Sequence, residues 1–449
     1  MTKFFGTDGV RGIAGEHLDA ILAFRLGYFS SYVISEKNSK KTRIVIGKDT
    51  RISGDMLESA FISGALSQGV EVIKLGVGPT PAVAYMTKKC GANVGVVISA
   101  SHNPMEYNGI KFFNSNGEKL SDELEEEIEE YLLGNKTVEN ILTGDKIGRL
   151  SELSSAPEDY INYVISVAGS CLKDIKIAVD CSNGANSFIA PDAFKQLGAT
   201  VFTTSVSPDG TNINSGCGSV HIENLSKFTL KVGADVGIAF DGDADRVLAV
   251  DENGDVLDGD VLIALIAIEY KNKGLIGNAP VVGTIMSNMG LELTLKEYGI
   301  DFVATKVGDR YVYEKMTETG SVIGGEQSGH VISTLYNTTG DGLACALEFL
   351  KILKSSGKKA SDLRKMVKIM PQVIVNARIT GMKSDEILAL DDVKDIIEKT
   401  HEKYSTCGRL LVRPSGTEPL IRIMLEGPSL DEMTADATEI ANLIESKKG

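Results

Sequence analysis

No stretch of this 449-residue chain is apolar for long enough to cross a bilayer. The longest such run, near Val261–Ile268, falls well short of the roughly 20 residues that a spanning helix needs. Residues 1–15 hold glycines and charges where a secretory signal would hold an apolar core, so no signal peptide is expected. Cysteine is scarce: Cys90, Cys171, Cys181, Cys217, Cys345 and Cys407 are far apart and form no C-x-x-C pair. That spacing argues against a disulfide frame or a thiolate zinc site and fits free thiols in a reducing cytoplasm. Positive charge is in short supply as well. With 46 basic against 61 acidic residues, the net charge of −15 disfavours broad nucleic-acid or anionic-membrane binding, though it leaves room for a small basic pocket. What remains is an ordinary globular composition, 43% hydrophobic and 24% charged, on a chain long enough for two to four domains. The expectation is a soluble cytoplasmic enzyme with neither a nucleic-acid nor a membrane partner.

The most distinctive segment present is Asp241-Gly242-Asp243-Ala244-Asp245-Arg246, directly after the apolar run Val236–Phe240. Three carboxylates so close repel one another, which raises the cost of keeping all three ionised and calls for a positive partner. Alternate side chains of an extended segment face opposite ways, so the loop must curl to bring all three to one ion. Gly242 and Ala244 are small enough to permit that. All-oxygen ligation suits a hard cation, Mg²⁺ before Ca²⁺, and disfavours zinc. The apolar run marks the loop as the end of a buried strand, where α/β proteins gather ligands; the bland alternative is a solvated acidic turn.

A fixed-order pattern recurs three times along the chain. Short β-branched strands at Arg43–Gly47, Ile175–Asp180 and Pro280–Thr284 each precede a helical segment that stops at a glycine: Gly69, Gly198 and Gly299. Second strands follow at Val70–Leu75, Ala199–Thr204 and Ile300–Thr305. Strand, helix, strand in this order implies parallel pairing with a right-handed crossover. A further strand then enters an unusual loop each time: Val94–Ile98 into Ser99–Pro104, Asp235–Phe240 into the acidic loop, and Ser321–Ile323 into Gly324–His330. The fold class expected is α/β, with three similar mixed α/β domains facing a shared cleft. From about residue 370 the pattern changes. Strands at Val373–Ile379, Arg409–Val412 and Leu420–Glu426, with helices at Asp391–Lys403 and Asp431–Ser446, predict a smaller C-terminal α+β domain with an antiparallel sheet. The acid-dense stretch Asp122–Glu130 carries a helical stripe of Leu120, Leu124, Ile128, Tyr131 and Leu132, so it reads as a surface helix. Expected domain spans are 1–150, 151–254, 255–365 and 366–449, with linkers near Gly144–Ser155, Asp251–Gly259 and Ser355–Ser361.

Each loop brings its own chemistry. Ser101, before His102 and Asn103-Pro104, is compatible with a nucleophile, a phosphate carrier or a turn former. No G-x-S-x-G elbow surrounds it, so a hydrolase triad is not the natural reading. With a cation nearby, Ser101 is well placed to carry a phosphoryl group bridged to that metal, and Lys111 offers a counter-charge. Arg413-Pro414-Ser415-Gly416-Thr417 supplies a guanidinium, two hydroxyls and the N–H groups of a tight turn, the inventory of a phosphate cradle. Arg422 adds a second cation. Glu326 and Ser328, among Gly324, Gly325 and Gly329, suit a polyhydroxylated ligand, and His330 is either a proton carrier or a structural histidine. The loop Gly6–Gly12 presents Arg11 but lacks the G-K-[ST] of a nucleotide-binding loop.

Taken in order, Ser99–Pro104, Asp241–Arg246, Gly324–His330 and Arg413–Pro419 span nearly the whole chain and resemble the signatures of the α-D-phosphohexomutase superfamily. The opening Phe5–Gly12, the Ser-Ala-Ser form of the serine loop and the length look like its bacterial branch acting on glucosamine phosphates. The resemblance implies a four-domain, heart-shaped enzyme. Ser101 matches its phosphoserine, which completes a Mg²⁺ site with Asp241, Asp243 and Asp245; Arg246 matches the arginine beside that loop. Glu326 and Ser328 match sugar-hydroxyl contacts, and Arg413, Ser415, Gly416 and Thr417 match the distal phosphate site. Arg11, Lys111 and His330 match residues for positioning or proton transfer, while Lys306–Arg310 resembles the specificity loop.

The implied reaction begins with phosphoserine 101 giving its phosphoryl group to O1 of glucosamine 6-phosphate. Glucosamine 1,6-bisphosphate, also the primer, then turns over in the cleft and returns its 6-phosphoryl group to Ser101. The product would feed UDP-N-acetylglucosamine and cell-wall precursor synthesis. The expected partner is a small phosphosugar, and the expected state a monomer or homodimer. Three competitors stand beside this reading. One is a mutase of the same superfamily acting on mannose or glucose phosphates. Another is a haloacid-dehalogenase-like phosphatase with Asp241 as nucleophile, which leaves Ser101 and the Arg413 cradle without roles. The third is an inactive sugar-phosphate sensor.

Overall fold

The computed structural model describes residues 4–6, 8–37, 41–139, 141–169, 171–414 and 419–447. They belong to two compact units: one within Met1–Met286 and Ile300–Met366, the other within Ser287–Gly299 and Val367–Gly449.

Three sheets build the first unit. The first runs Val10–Ile13, Tyr107–Asn114, Val94–Ile98, Arg43–Lys48, Glu71–Val77, Leu150–Glu152. The second runs Val256–Leu257, Val247–Asp251, Val236–Phe240, Lys176–Asp180, Thr200–Thr204, and the third Phe302–Thr305, Val281–Thr284, Ile323–Gly325, Val331–Ser333. All three share one wiring. The opening strand of each repeat pairs in parallel with the next two. The third then turns back through a hairpin into a fourth, antiparallel strand. The parallel pairs match the sequence reading; the returning fourth strand is an addition to it. Val94–Ile98 and Val236–Phe240 are buried at every residue, which explains unbroken apolar runs in place of alternation. Gly69, Gly198 and Gly299 take positive φ just past their helices, as a left-handed stop requires.

This wiring puts chemistry in one place. The Ser99–Glu106, Asp241–Arg246 and Glu326–His330 segments are the same hairpin connection in three copies. Hydrogen bonds bring the copies together: Thr80 N–H donates to Asp243 O (2.9 Å), Val247 N–H to Gly329 O (3.0 Å), and Gly342 N–H to Ala244 O (3.1 Å).

The structure departs from the expected boundaries in a few places. The strand expected at Ser321–Ile323 runs instead from Ile323 to Gly325. Within the segments expected as linkers, Leu150–Glu152 pairs with Glu71–Val77, and Val256–Leu257 pairs with Val247–Asp251. Both are edge strands too short for a hydrophobic pattern to reveal.

Where the first and third repeats meet, Arg310 bonds Asp122 and lies 3.8 Å from Glu125. Burial, against the pull of Arg310, pushes Glu125 up to about 7. Its folded pKa lies above the unfolded value of about 4.3, so its contribution to stability fades as pH rises from there through 7. Glu125→Gln is therefore expected to raise the thermal unfolding midpoint at pH 8, with the gap closing toward pH 5. An equal gap at both pH values would contradict this.

In the second unit, Gln372–Arg378, Leu420–Glu426 and Arg409–Pro414 form an antiparallel sheet with Leu420–Glu426 in the middle. Ile421, Ile423 and Leu425 enter a core shared with the helices Asp391–Tyr404 and Leu430–Ser446. The helix Met289–Glu297 belongs to this unit through its start. The Asn288 amide donates to Met370 O (2.9 Å), and Met289 N–H donates to Glu426 Oε2 (3.2 Å).

Candidate active site

Ser101 sits at the tip of the first hairpin, 1% exposed, with φ at +51°. Its hydroxyl donates to Asp241 Oδ2 at 2.6 Å, joining the first hairpin to the second. In the second hairpin Ala244 takes the left-handed turn, at φ +56°. Gly242 serves differently: a Cβ there would lie 2.6 Å from the Ser101 carbonyl, so only glycine lets the two loops approach this closely. The curl brings one oxygen each of Asp241, Asp243 and Asp245 within 4.8 Å of one another. All three residues are buried, and Asp243 Oδ1 and Asp245 Oδ1 have no hydrogen-bond partner. Buried carboxylate lone pairs without donors, clustered against their own repulsion, fit a hard divalent cation. This is the one such cluster among the described residues.

Cations ring these acids. Lys111 Nζ lies 2.8 Å from Asp243, 3.0 Å from Asp8 and 3.4 Å from Asp245. Burial alone would lower its pKa, but those carboxylates outweigh burial and raise it, so Lys111 is a fixed ammonium. Asp245 is held well below the usual carboxylate range: Lys111, His330 and Arg246 overcome its burial. Asp241 goes the other way, pushed up by burial and by its two acidic neighbours. Arg246 points its Nε at Asp245 from 4.0 Å, and its own N–H donates to Asp241 Oδ1 (3.2 Å). Arg11, on the surface, bonds Asp8 and adds its charge to the attraction felt by Asp243 and Asp245.

His330 is buried, with Nδ1 3.7 Å from Asp245 Oδ1 and Nε2 3.6 Å from Asp309 Oδ2. Gly340 N–H donates to Nε2 at 3.1 Å. In the neutral ring that nitrogen accepts and Nδ1 carries the proton toward Asp245; burial alone would lower the His330 pKa, but Asp245, Asp309 and Glu326 outweigh it and raise it. His102 Nδ1 is 3.4 Å from the Ser101 hydroxyl. Burial, then repulsion from Arg246 and Arg11, pushes His102 down to about 4, so it is neutral at pH 7.

In the third hairpin, Glu326 accepts from Gly308 N–H (3.0 Å) and from the exposed Ser328 hydroxyl (3.4 Å). Glu326 thus braces the Lys306–Arg310 loop. Arg413 and Arg422, in the second unit, stand directly opposite on neighbouring strands. Like charges in that relation repel, and burial together with Arg422 lowers the Arg413 pKa. An anion between them would relieve the repulsion. Ser415, Gly416 and Thr417 lie outside the described residues.

Sequence reasoning missed several residues here. Thr80 donates its hydroxyl to Asp243 Oδ2 at 2.6 Å. Lys119 bridges Asp8 (2.8 Å) and Asp309 (2.7 Å). Asp49 and Arg51 support the serine hairpin. The signal for the last pair was their place just past the strand Arg43–Lys48, where α/β sheets put functional groups.

The chain belongs to the phosphoglucomutase/phosphomannomutase family, whose domain models match most of its length. Its alpha/beta/alpha domains I, II and III match residues 2–139, 158–254 and 258–369, and its C-terminal domain matches 374–443. Among its relatives, the phosphoglucosamine mutase of Acetivibrio thermocellus is 50% identical over 449 residues, covering 100% of both chains. That of Alkaliphilus oremlandii is 51% identical over 448, again covering 100% of both. A phosphoglucomutase/phosphomannomutase family protein from Burkholderia thailandensis shares the fold at a TM-score of 0.81 and 23% identity, over 100% of this chain and 99% of that one. The Aspergillus fumigatus N-acetylphosphoglucosamine mutase, solved with GlcNAc-6P and magnesium, shares it at 0.68 and 18% identity, over 99% and 96%. Among the described residues, no helix is long and apolar enough to cross a membrane.

Proposed function

We propose that this chain interconverts glucosamine 6-phosphate and glucosamine 1-phosphate, with Ser101 as the phosphoryl carrier. The full-length likeness to phosphoglucosamine mutases supports the choice of sugar. The observation that carries the chemistry is the 2.6 Å contact between Ser101 and Asp241, which puts the serine hydroxyl against a buried carboxylate cluster in which Asp243 Oδ1 and Asp245 Oδ1 have no hydrogen-bond partner. Asp241, Asp243, Asp245 and the phosphate on Ser101 would hold Mg²⁺. When bound, the ion neutralises charge on the transferring phosphoryl group.

The chain's own residues do the rest. Ser101 gives its phosphoryl group to O1 of the sugar: the P–Oγ bond breaks, a P–O1 bond forms, O1 loses its hydroxyl proton, and Oγ takes one up to restore the serine hydroxyl. Lys111 and Arg246 hold positive charge beside the group in transit, and Arg11 steadies Asp8. Lys111 stays protonated among its carboxylates, which leaves His330 as carrier of the hydroxyl proton. Glu326 and Ser328 grip sugar hydroxyls. Arg413 and Arg422, with Ser415, Gly416 and Thr417, hold the phosphate that is not reacting. The 1,6-bisphosphate then reverses and returns its 6-phosphoryl group to Ser101. We place the enzyme in the cytoplasm.

A mutase assay with Mg²⁺ and bisphosphate primer, comparing glucosamine 6-phosphate, glucose 6-phosphate and mannose 6-phosphate, tests the sugar. The amino sugar is expected to give the highest kcat/KM. Preference for a neutral sugar would overturn the substrate while leaving the phosphoserine chemistry standing.

A further inference from the structure

The turn Asp49-Thr50-Arg51-Ile52 touches neither the acidic cluster nor the sugar-binding hairpin as described, yet it is the most heavily bonded support of Ser101. We infer that it is a positioning joint. It holds Ser101 in its left-handed backbone conformation and fixes the gap between the serine hairpin and the Asp241 hairpin. The inference rests on the reading of Ser101 as phosphoryl carrier.

Arg51 and Asp49 form an ion pair at 2.9 Å, with both side chains 0% exposed. Burying such a pair costs desolvation that its mutual attraction barely repays, so it is weak evidence for stability alone. The guanidinium fork is used throughout. Nε donates to Asp49, one Nη to the Ser101 (3.0 Å) and Asn103 (2.8 Å) carbonyls, and the other to the Tyr107 (3.0 Å) and Pro104 carbonyls. A lysine ammonium has three donors and no planar fork, so it cannot reproduce this pattern. Asp49 reaches Ser101 by a second arm: the Ser99 hydroxyl donates to Asp49 Oδ2 (2.6 Å) and accepts from Ser101 N–H (2.9 Å). Both the carbonyl and the N–H of Ser101 therefore trace back to one ion pair. A non-glycine residue at φ +51° persists only where its surroundings over-determine it, and this circuit does so.

The same turn bonds the second repeat. The Thr50 hydroxyl donates to Asn183 O (2.6 Å), and Ile52 N–H to Gly210 O (2.9 Å). Asn214, from that repeat, donates its amide to the Ser101 (2.8 Å) and Asn103 (3.0 Å) carbonyls. The joint thus sets the distance across which the Ser101 hydroxyl meets Asp241.

Steady-state kinetics of the full chain with glucosamine 6-phosphate, Mg²⁺ and bisphosphate primer test this. Ser99→Ala and Arg51→Lys are expected to lower kcat about 100-fold, the scale of a 1 Å misplacement, with KM moved less than about threefold. Ser99→Thr restores the hydroxyl and is expected to restore kcat. Should Arg51→Lys not fold, the Ser99 pair decides alone. Unchanged kcat in Ser99→Ala, a loss shared by Ser99→Thr, or a loss confined to KM would overturn the inference. An inactive Ser101→Ala beside a fully active Ser99→Ala rejects the joint alone; a fully active Ser101→Ala rejects the phosphoserine reading itself.

Discussion

Ser101→Ala is expected to abolish mutase turnover, by roughly three orders of magnitude or more, while leaving the chain folded. Its hydroxyl is the group that bonds Asp241 Oδ2, and no neighbour can take its place. The Ser99 hydroxyl is committed to Asp49 at 2.6 Å, the Thr80 hydroxyl to Asp243 at 2.6 Å, and His102 has no oxygen to carry a phosphoryl group. The backbone of the hairpin is held by bonds that alanine keeps: Ser101 N–H to Ser99, and Ser101 O to Arg51 and Asn214. Sugar phosphate should still bind, because the residues proposed to grip it are untouched. Loss of turnover with retained binding in calorimetry is the predicted pair of results. Wild-type turnover in the variant would refute the carrier role.

The second large effect concerns the metal. Stripping divalent ions with a chelator is expected to remove turnover completely, and Mg²⁺ is expected to restore it. The reason lies in the orphaned oxygens of Asp243 and Asp245, buried at a distance where the acids repel one another. Lys111 answers part of that charge but reaches only one oxygen of each. The cluster is also incomplete by itself, since phosphate on Ser101 would add an oxygen ligand. Mg²⁺ should therefore bind the phosphorylated chain roughly tenfold more tightly than the unphosphorylated one, about 1.4 kcal/mol. Equal affinity in the two forms, or full activity in chelator, would contradict the assignment.

The acidic loop was readable in the sequence because its chemistry is local. Three alternating aspartates after an apolar run announce a strand end and a cation together, and Asp241, Asp243 and Asp245 do converge. The three repeats were legible for the same reason, as each βαβ unit is written in consecutive residues. What the sequence concealed is mostly non-local. The fourth strands, Tyr107–Asn114, Val247–Asp251 and Val331–Ser333, are buried at most positions, so no alternation marks them. Gly242 and Ala244 both looked like residues that let the loop bend; Ala244 takes the left-handed turn, as expected, whereas Gly242 makes room for the Ser101 carbonyl from another repeat. Arg51 and Asp49 drew no reading from the sequence: their place just past a strand was the one local signal, and nothing within a few residues of them shows that four carbonyls and the Ser99 hydroxyl converge there from some 50 positions away. Lys111 could be named as a counter-charge, but its enclosure by three carboxylates, which keeps it protonated, belongs to the folded chain alone.

The most direct test of the central claim is the address of the phosphate. After incubation of the full chain with a phosphorus-labelled hexose 1,6-bisphosphate and Mg²⁺, acid treatment and peptide mass mapping should find one stable phosphate, on Ser101. Label lost in acid and traced to Asp241 would mean that the aspartate is the nucleophile, contradicting the account of the acidic loop as the metal-holding half of the site.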